Sequence, residues 1–425
     1  MVAKRGHNVV GVDTNTEVVR ALTMRRPLFQ EPHLRETLRS VGAKFRATAD
    51  LEEGTSSSEV VLVCVGTRRY ADRKPDLRVV KRIISRLGEF NLKGKLIVFK
   101  TTLPVGATRE FASQLGKGTG LKCDNEFYVA FCPERIVEGR AIEEIENLPK
   151  IIGAIGPKSL KAAVRFYKTI GGTLVPVHSV EAAEIVKLID NAYRITRFAF
   201  ANEVALLAEA NGLNAYELIS AANRDYPRND IPFPSCGVGG YCLTKDPWYL
   251  EQAFVKISAA RGFHSIWLYA RKVNDHMINS TADRIESVLA DHGVAIERSQ
   301  VAICGIAYKA NVDDIRDSHG LFLAEELRRR GARVKVWDPL VKEELAGDLA
   351  IYREPYPVFR KADAVMFTVN HRKFHLSQRE MWRLVRSMRT RIIFDGAGVS
   401  PRIRASEVTI VRTGVAETTQ ATRQK

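Results

Sequence analysis

The sequence predicts an α/β protein in which two doubly wound domains flank a helical centre. Three observations predict it. Short apolar runs alternate with helical patterns through the first third of the chain. Residues 180–211 then run without Pro or Gly, at helical spacing, and the alternation resumes in the last third. Apolar strands separated by helices indicate a parallel sheet, because each crossover helix covers a sheet face and leaves the strands buried on both sides.

Residues 8–13, Asn-Val-Val-Gly-Val-Asp, read as a buried strand ending in an acid, and residues 60–65, 96–100 and 127–131 are similar apolar runs. A helical pattern occupies residues 77–87. Good helix formers fill residues 180–211, predicting one helix of about thirty residues. A second helical stretch covers 265–290, and a loop rich in Pro and Gly covers 226–240. A long helix between two α/β domains serves as a spine, a subunit interface or plain packing. Further on, residues 300–304 form a strand, Gly305 turns, and a helix covers 319–330. The strand 333–337 ends at Asp338, with more strands at 364–368 and 391–395. The polar tail after Ala416 is expected to fray. The predicted domains are residues 1–178, 179–292 and 293–425.

Composition narrows the function classes. In 425 residues, 45% are hydrophobic and 27% charged, which excludes a disordered chain, a collagen-like fibre and a small disulfide scaffold. No apolar run approaches the ~18 residues of a membrane span, and the first residues do not read as a secretory signal. The formal net charge of +16 favours anionic partners. The densest basic runs are short, such as Arg328 to Arg330, and no helix-turn-helix, zinc-finger or RNA-binding motif accompanies them. Neither nucleic acid nor membrane is expected as a partner. Cysteines lie at 64, 123, 132, 236, 242 and 304, with no CxxC pair and no His cluster at zinc spacing. They read as reduced thiols of a cytoplasmic protein without a metal.

Two segments repeat. Residues 4–13 match residues 329–338, each reading as helix end, glycine cap, strand and acid. The second copy is preceded by a strand and a glycine turn, where the phosphate loop of a dinucleotide fold belongs. Only twelve residues precede Asp13, too few for a strand, a glycine loop and a crossover helix. The N-terminal domain is therefore expected to lack its first strand and glycine loop. Asp13 is expected to hold the adenosine ribose hydroxyls.

The most informative stretch is residues 232–247, Pro-Phe-Pro-Ser-Cys-Gly-Val-Gly-Gly-Tyr-Cys-Leu-Thr-Lys-Asp-Pro. Its glycines permit torsions and close approaches that other residues resist. Cys242 follows them directly, and Lys245 and Asp246 come within one helical turn. Cations and helix N-termini raise the thiolate fraction that a nucleophilic cysteine needs. Cys236, in the same loop, is a weaker candidate for a regulatory disulfide with Cys242.

The chain resembles the nucleotide-sugar 6-dehydrogenases. The motifs are Thr101-Thr-Leu-Pro-Val-Gly106, Cys132-Pro-Glu-Arg-Ile-Val-Glu-Gly139, Lys187-Leu-Ile-Asp-Asn191, residues 237–246, and Gly305-Ile-Ala-Tyr-Lys309. The resemblance implies two Rossmann-like domains and NAD-dependent oxidation of a UDP-sugar C6 alcohol to the acid. It implies that Cys242 attacks the intermediate aldehyde, that Lys187 and Asn191 stabilise the oxyanion, and that Glu138 activates the hydrolytic water. Thr102 and Asp246 would hold a water, and Thr67 and Thr102 would line the nicotinamide end. Glu134, Arg228, Phe233, Gly239, Tyr308 and Lys309 would bind the UDP-sugar. A dimer through the central helix is implied too.

Three departures stand out. The Gly-x-Gly-x-x-Gly loop is absent, Gly66-Thr-Arg68 replaces a frequent Pro-Thr-Pro, and Ala397 follows Asp395-Gly396 where arginine is frequent. The last departure and the 132–139 motif favour UDP-N-acetylmannosamine as substrate. UDP-glucose, UDP-N-acetylglucosamine and an inactive UDP-sugar-binding protein are the alternatives.

Overall fold

The computed structural model describes residues 1–70, 73–342, 347–399, 403 and 408–416. The chain divides into two compact units, Met1–Asp190 with Lys245–Arg261, and Asn191–Thr244 with Gly262–Lys425.

In the first unit, β1 (Val9–Val12) and β2 (Phe45–Thr48) pair in parallel as a sheet of their own. Helices α1 (Thr16–Thr23) and α2 (Leu34–Ser40) lie between them in sequence, and α3 (Leu51–Ser56) follows. The main sheet is built from β3 (Val60–Val63), β6 (Leu96–Phe99), β7 (Tyr128–Phe131), β8 (Lys150–Ala154) and β9 (Leu174–Pro176), in that order. A hairpin of β4 (Arg68–Arg69) and β5 (Pro75–Asp76) stands apart. Strand β6 is buried at every position, as its unbroken apolar run predicts. One face packs on α4 (Arg78–Leu87) and α5 (Ala107–Thr119) through Ile84, Leu87, Phe111 and Leu115. The other packs on α7 (Pro157–Ile170) through Ala163, Tyr167 and Ile170. The pairing departs from the expected parallel sheet at one place. Strand β8 runs antiparallel to β7, because the connection holds only the seven-residue α6 (Ala141–Asn147) and re-enters from the end where β7 stops.

Strand β1 pairs only with β2, and β3 only with β6, among the described residues. A cavity of about 1810 Å³ is lined from β1 by Val10 and Val12 and from β3 by Val61 and Val63.

The 31-residue α8 (Val180–Ala210) forms over the span its sequence predicts. It is followed by α9 (Ala215–Asn223), α10 (Tyr241–Arg261) and α11 (Ile266–Asp291). The second unit carries a continuous six-stranded parallel sheet, β12-β11-β10-β13-β14-β15. These strands are β10 (Gln300–Cys304), β11 (Arg333–Trp337), β12 (Ile351–Tyr352), β13 (Ala364–Phe367), β14 (Ile392–Asp395) and β15 (Thr409–Arg412). Helices α11 and α12 (His319–Arg329) contribute Ile285, Leu289, Leu323 and Leu327 to one core layer. The other layer gathers Phe359, Phe367, Phe374 and Leu384, with α13 (Tyr356–Phe359) and α14 (Gln378–Val385). The tail after Ala416 lies outside the described residues. No helix among those described is long and apolar enough to cross a membrane.

Candidate active site

In the second unit, Gly237 and Gly240 take φ of +108° and +96°, torsions open to glycine at little cost. The Gly240 amide donates to the Asp317 carbonyl at 3.1 Å. A Cβ on Gly240 would lie 2.5 Å from the Tyr308 ring, and one on Gly239 would lie 2.4 Å from the Asp317 carbonyl. The loop that carries Gly239 thus packs on the loop that carries Tyr308, both expected substrate-binding residues, and Lys309 follows half-buried. The glycine loop feeds α10, whose second residue is Cys242, an exposed residue outside any disulfide. The Thr244 hydroxyl donates to Asp317 Oδ2 at 2.8 Å and ties this first turn to the same aspartate. Cys236 is free and buried, its Sγ 3.9 Å from the Thr368 carbonyl, and burial pushes its thiol pKa to about 12. The disulfide with Cys242 is therefore not formed.

Arg228 and Phe233 lie on the exposed part of the preceding loop. Arg228 Nε donates to the Tyr226 hydroxyl at 2.8 Å, and the Phe233 ring stacks on Tyr216 at 5.1 Å. Asn191 is buried and accepts from Arg194 Nη1 at 3.5 Å.

In the first unit, the structure gathers Thr67, Thr102 and Asp246. The Thr67 hydroxyl donates to the Thr102 carbonyl at 2.9 Å. Lys245 Nζ donates to Thr67 Oγ1 at 3.4 Å and pairs with Asp246 Oδ1 at 2.8 Å. Both partners of this ion pair are buried. Tyr249 completes the group, its ring 4.3 Å from Lys245 Nζ and its hydroxyl donating to the Arg68 carbonyl at 2.6 Å. The sequence reading takes Lys245 as a cation for the Cys242 thiol; its ion pair here is with Asp246. Tyr249 gave no sequence signal. Lys187 is buried on α8, one turn before Asn191.

Glu134 and Glu138 sit in the loop after β7. Glu134 Oε2 pairs with Lys100 Nζ at 3.2 Å, and Oε1 accepts the Arg135 and Ile136 amides at 2.9 and 3.3 Å. Burial pushes the Glu134 carboxyl up, but Lys100 and these amides outweigh it and hold its pKa below the usual value. Lys100 escaped the sequence reading because a strand-end lysine carries no distinctive spacing. Glu138 is half-buried, and the loop around it is fixed from outside. Glu31 accepts the Gly139 and Ala141 amides at 2.7 and 2.8 Å, and Glu144 accepts the Val137 amide at 2.8 Å. Asp13 follows β1, exposed, with Oδ1 accepting the Asn15 amide at 2.9 Å.

Models of the UDP-glucose/GDP-mannose dehydrogenase family match the chain in three parts. The NAD binding domain matches residues 1–171, the central domain 181–276 and the UDP binding domain 302–402. A UDP-N-acetyl-D-mannosamine dehydrogenase of Pyrococcus horikoshii is 32% identical, over 94% of this chain and 92% of its own length. The chain belongs to the UDP-glucose/GDP-mannose dehydrogenase family. An NDP-N-acetyl-D-galactosaminuronic acid dehydrogenase of Ralstonia solanacearum is 29% identical, covering 94% of this chain and 92% of its own. Among solved structures, the UDP-D-ManNAc dehydrogenase of P. horikoshii superposes with a TM-score of 0.88 at 31% identity, covering 98% of this chain and 96% of that one. A UDP-glucose dehydrogenase of Pyrobaculum islandicum gives 0.84 at 27% identity, covering 98% and 94%.

The family is one of NAD-dependent UDP-sugar dehydrogenases. The residues here fit the cofactor at its two ends. Asp13 stands at a strand end with one carboxylate oxygen not engaged by Asn15, suited to ribose hydroxyls. Thr67 and Thr102 lie beyond the carboxyl ends of β3 and β6, where ligands of open α/β sheets bind. A pyrophosphate cradle is not among the described residues between β1 and β3, where the cavity lies.

Proposed function

We propose that the protein oxidises UDP-N-acetyl-D-mannosamine at C6 to UDP-N-acetyl-D-mannosaminuronate, in two hydride transfers joined by a covalent thiohemiacetal and completed by hydrolysis of a thioester. The observation that carries this reading is the exposed Cys242 thiol in the first turn of α10, behind the packed glycine loop. Helix N-termini favour the thiolate. NAD supplies the hydride acceptor for both oxidations. The Cys242 thiolate adds to the C6 carbon of the aldehyde and gives a thiohemiacetal, splitting a hard step into easier ones. Lys187 and Asn191 donate to the oxyanion. Loss of the second hydride leaves the thioester. Glu138 takes a proton from the water that adds to its carbonyl carbon, and the thiolate leaves as the carboxylate forms. Thr102 and Asp246 hold an ordered water. Glu134, Arg228, Phe233, Gly239, Tyr308 and Lys309 bind the UDP-sugar, with Arg228 on the phosphates.

The choice of sugar rests on the P. horikoshii relative and on Ala397, whose amide donates to Asp395 Oδ1 at 3.3 Å where a frequent family arginine stands. A homodimer through α8 is part of the proposal. Tyr193, Phe200 and Leu207, seven residues apart, are 66%, 52% and 61% exposed, an apolar stripe on one helix face. The absence of a disulfide among the six cysteines, all of them described residues, supports a reducing, cytoplasmic location.

Turnover with UDP-N-acetylmannosamine, UDP-N-acetylglucosamine and UDP-glucose tests the substrate. The first is expected to show the highest kcat/KM, and a preference for UDP-glucose refutes the choice of sugar.

A further inference from the structure

We propose that Asn274 and His319 are positioning residues for Cys242, holding the glycine loop ahead of the thiol through a hydrogen-bond chain that works only with a neutral imidazole. The proposal rests on the reading of Cys242 as the reacting thiol. All of these residues belong to the second unit.

Asn274, fully buried on α11, grips both polar groups of the Val238 peptide backbone. Its Oδ1 accepts the Val238 amide at 2.8 Å, and its Nδ2 donates to the Val238 carbonyl at 3.0 Å. A backbone amide only donates and a carbonyl only accepts, so these two bonds fix which way the side-chain amide faces. Nδ2 also lies 2.9 Å from His319 Nε2. Because Nδ2 is a donor, Nε2 must present its lone pair, and the ring proton sits on Nδ1. A protonated ring would set donor against donor.

The loop rests directly on this ring. A Cβ on Gly237 would lie 2.3 Å from His319 Cδ2, and one on Gly239 would lie 3.1 Å from Nδ1. The charged group acting on the imidazole is Arg271, on the α11 turn before Asn274 and paired with Asp275. Burial, followed by that arginine, lowers the His319 pKa to about 3. The bonding pattern and this lowering both favour the neutral ring. Three residues separate Val238 from Cys242, and Gly240 and Thr244 are tied to Asp317, next but one to His319. A shift of Val238 thus moves the first turn of α10, and a displacement near 1 Å costs on the order of 10²-fold in rate.

The test uses the full chain and four variants, His319→Gln, His319→Leu, Asn274→Asp and Cys242→Ser. Three readouts are kcat and KM with UDP-N-acetylmannosamine, site-resolved iodoacetamide alkylation of Cys242, and melting temperature. The alkylation readout needs neither substrate nor cofactor. Gln can place an acceptor where Nε2 stands, and Leu cannot. His319→Gln is expected to stay within about threefold of the parent in kcat and alkylation rate. His319→Leu is expected to lose about 10²-fold in kcat, with a smaller change in KM and an altered alkylation rate. Asn274→Asp sets a carboxylate on the Val238 carbonyl and on His319. It is expected to raise the imidazole pKa, visible by NMR titration, and to add an ionisation to the pH–rate profile. If Asn274→Asp does not fold, the Gln and Leu pair decides. Gln and Leu variants that behave alike, both as the parent or both impaired, overturn the proposal. If Cys242→Ser still completes both oxidations, the reading of Cys242 fails. If it does not, and His319→Leu matches the parent, only the positioning role fails.

Discussion

The two sheet-bearing units open on the same sequence signal and use it differently. Strands β1 and β11 both end at an acid, Asp13 and Asp338. Asp338 is buried and turned onto its own neighbour. Its Oδ2 accepts the Ile306 and Ala307 amides at 2.9 and 3.2 Å, and its Oδ1 accepts the Leu340 and Val341 amides at 2.9 and 3.1 Å. The amides after Gly305, which in a dinucleotide site would face phosphate, are already occupied. Asp13 is exposed and engaged only through Oδ1 by Asn15, among the hydrogen bonds described. The difference lies in the adjoining strand. Strand β10 sits against β11, whereas a cavity lies beside β1. A strand-plus-acid signal does not itself announce a cofactor site; what the acid faces decides its task.

The comparison can be broken most forcefully at Asp338. Asp338→Ala strands four amides, three of them buried, and is expected to cost about 3 kcal/mol or more in urea unfolding. Asp13→Ala, in the same position of the other copy, should cost less than about 0.5 kcal/mol. Equal costs would erase the distinction. The strands come next. Ile303→Ala in β10 removes a fully buried side chain and is expected to cost about 3 kcal/mol. Val61→Ala in β3, beside the cavity, should cost about 1 kcal/mol.

Acid sharpens the contrast further. Burial pushes the Asp338 carboxyl up, but His371 and the backbone amides outweigh it and hold its pKa below the usual value. A carboxylate depressed in the folded state stabilises above its unfolded pKa, and that stability is lost as pH falls through the folded value. Asp338→Asn should therefore flatten the acid limb of the stability profile. A further effect is on binding. Asp13→Ala should weaken NAD about tenfold by titration, near 1.4 kcal/mol, while UDP-sugar affinity is untouched.

Much of this was legible in the chain. The absence of Pro and Gly predicted α8 to within a residue, and apolar runs located β3, β6, β7 and β10. The glycine loop pointed to Cys242. The continuation of helix α10 was hidden because Pro247, its seventh residue, removes a donor and signals a break. The antiparallel entry of β8 was hidden because an apolar run carries no direction. The braces were least legible of all. Asn274 reaches Val238 across 36 residues, and Glu31 reaches Gly139 across 108. Periodicity reports which face of an element is buried, not which distant amide a side chain will meet.

The most direct test of the central claim counts NADH formed per UDP-N-acetylmannosamine consumed, at saturating NAD, for the parent chain and Cys242→Ser. The parent should yield two NADH and the uronate, and the Ser variant should complete no uronate. One NADH per sugar from the parent, or two from Cys242→Ser, would contradict the covalent four-electron account.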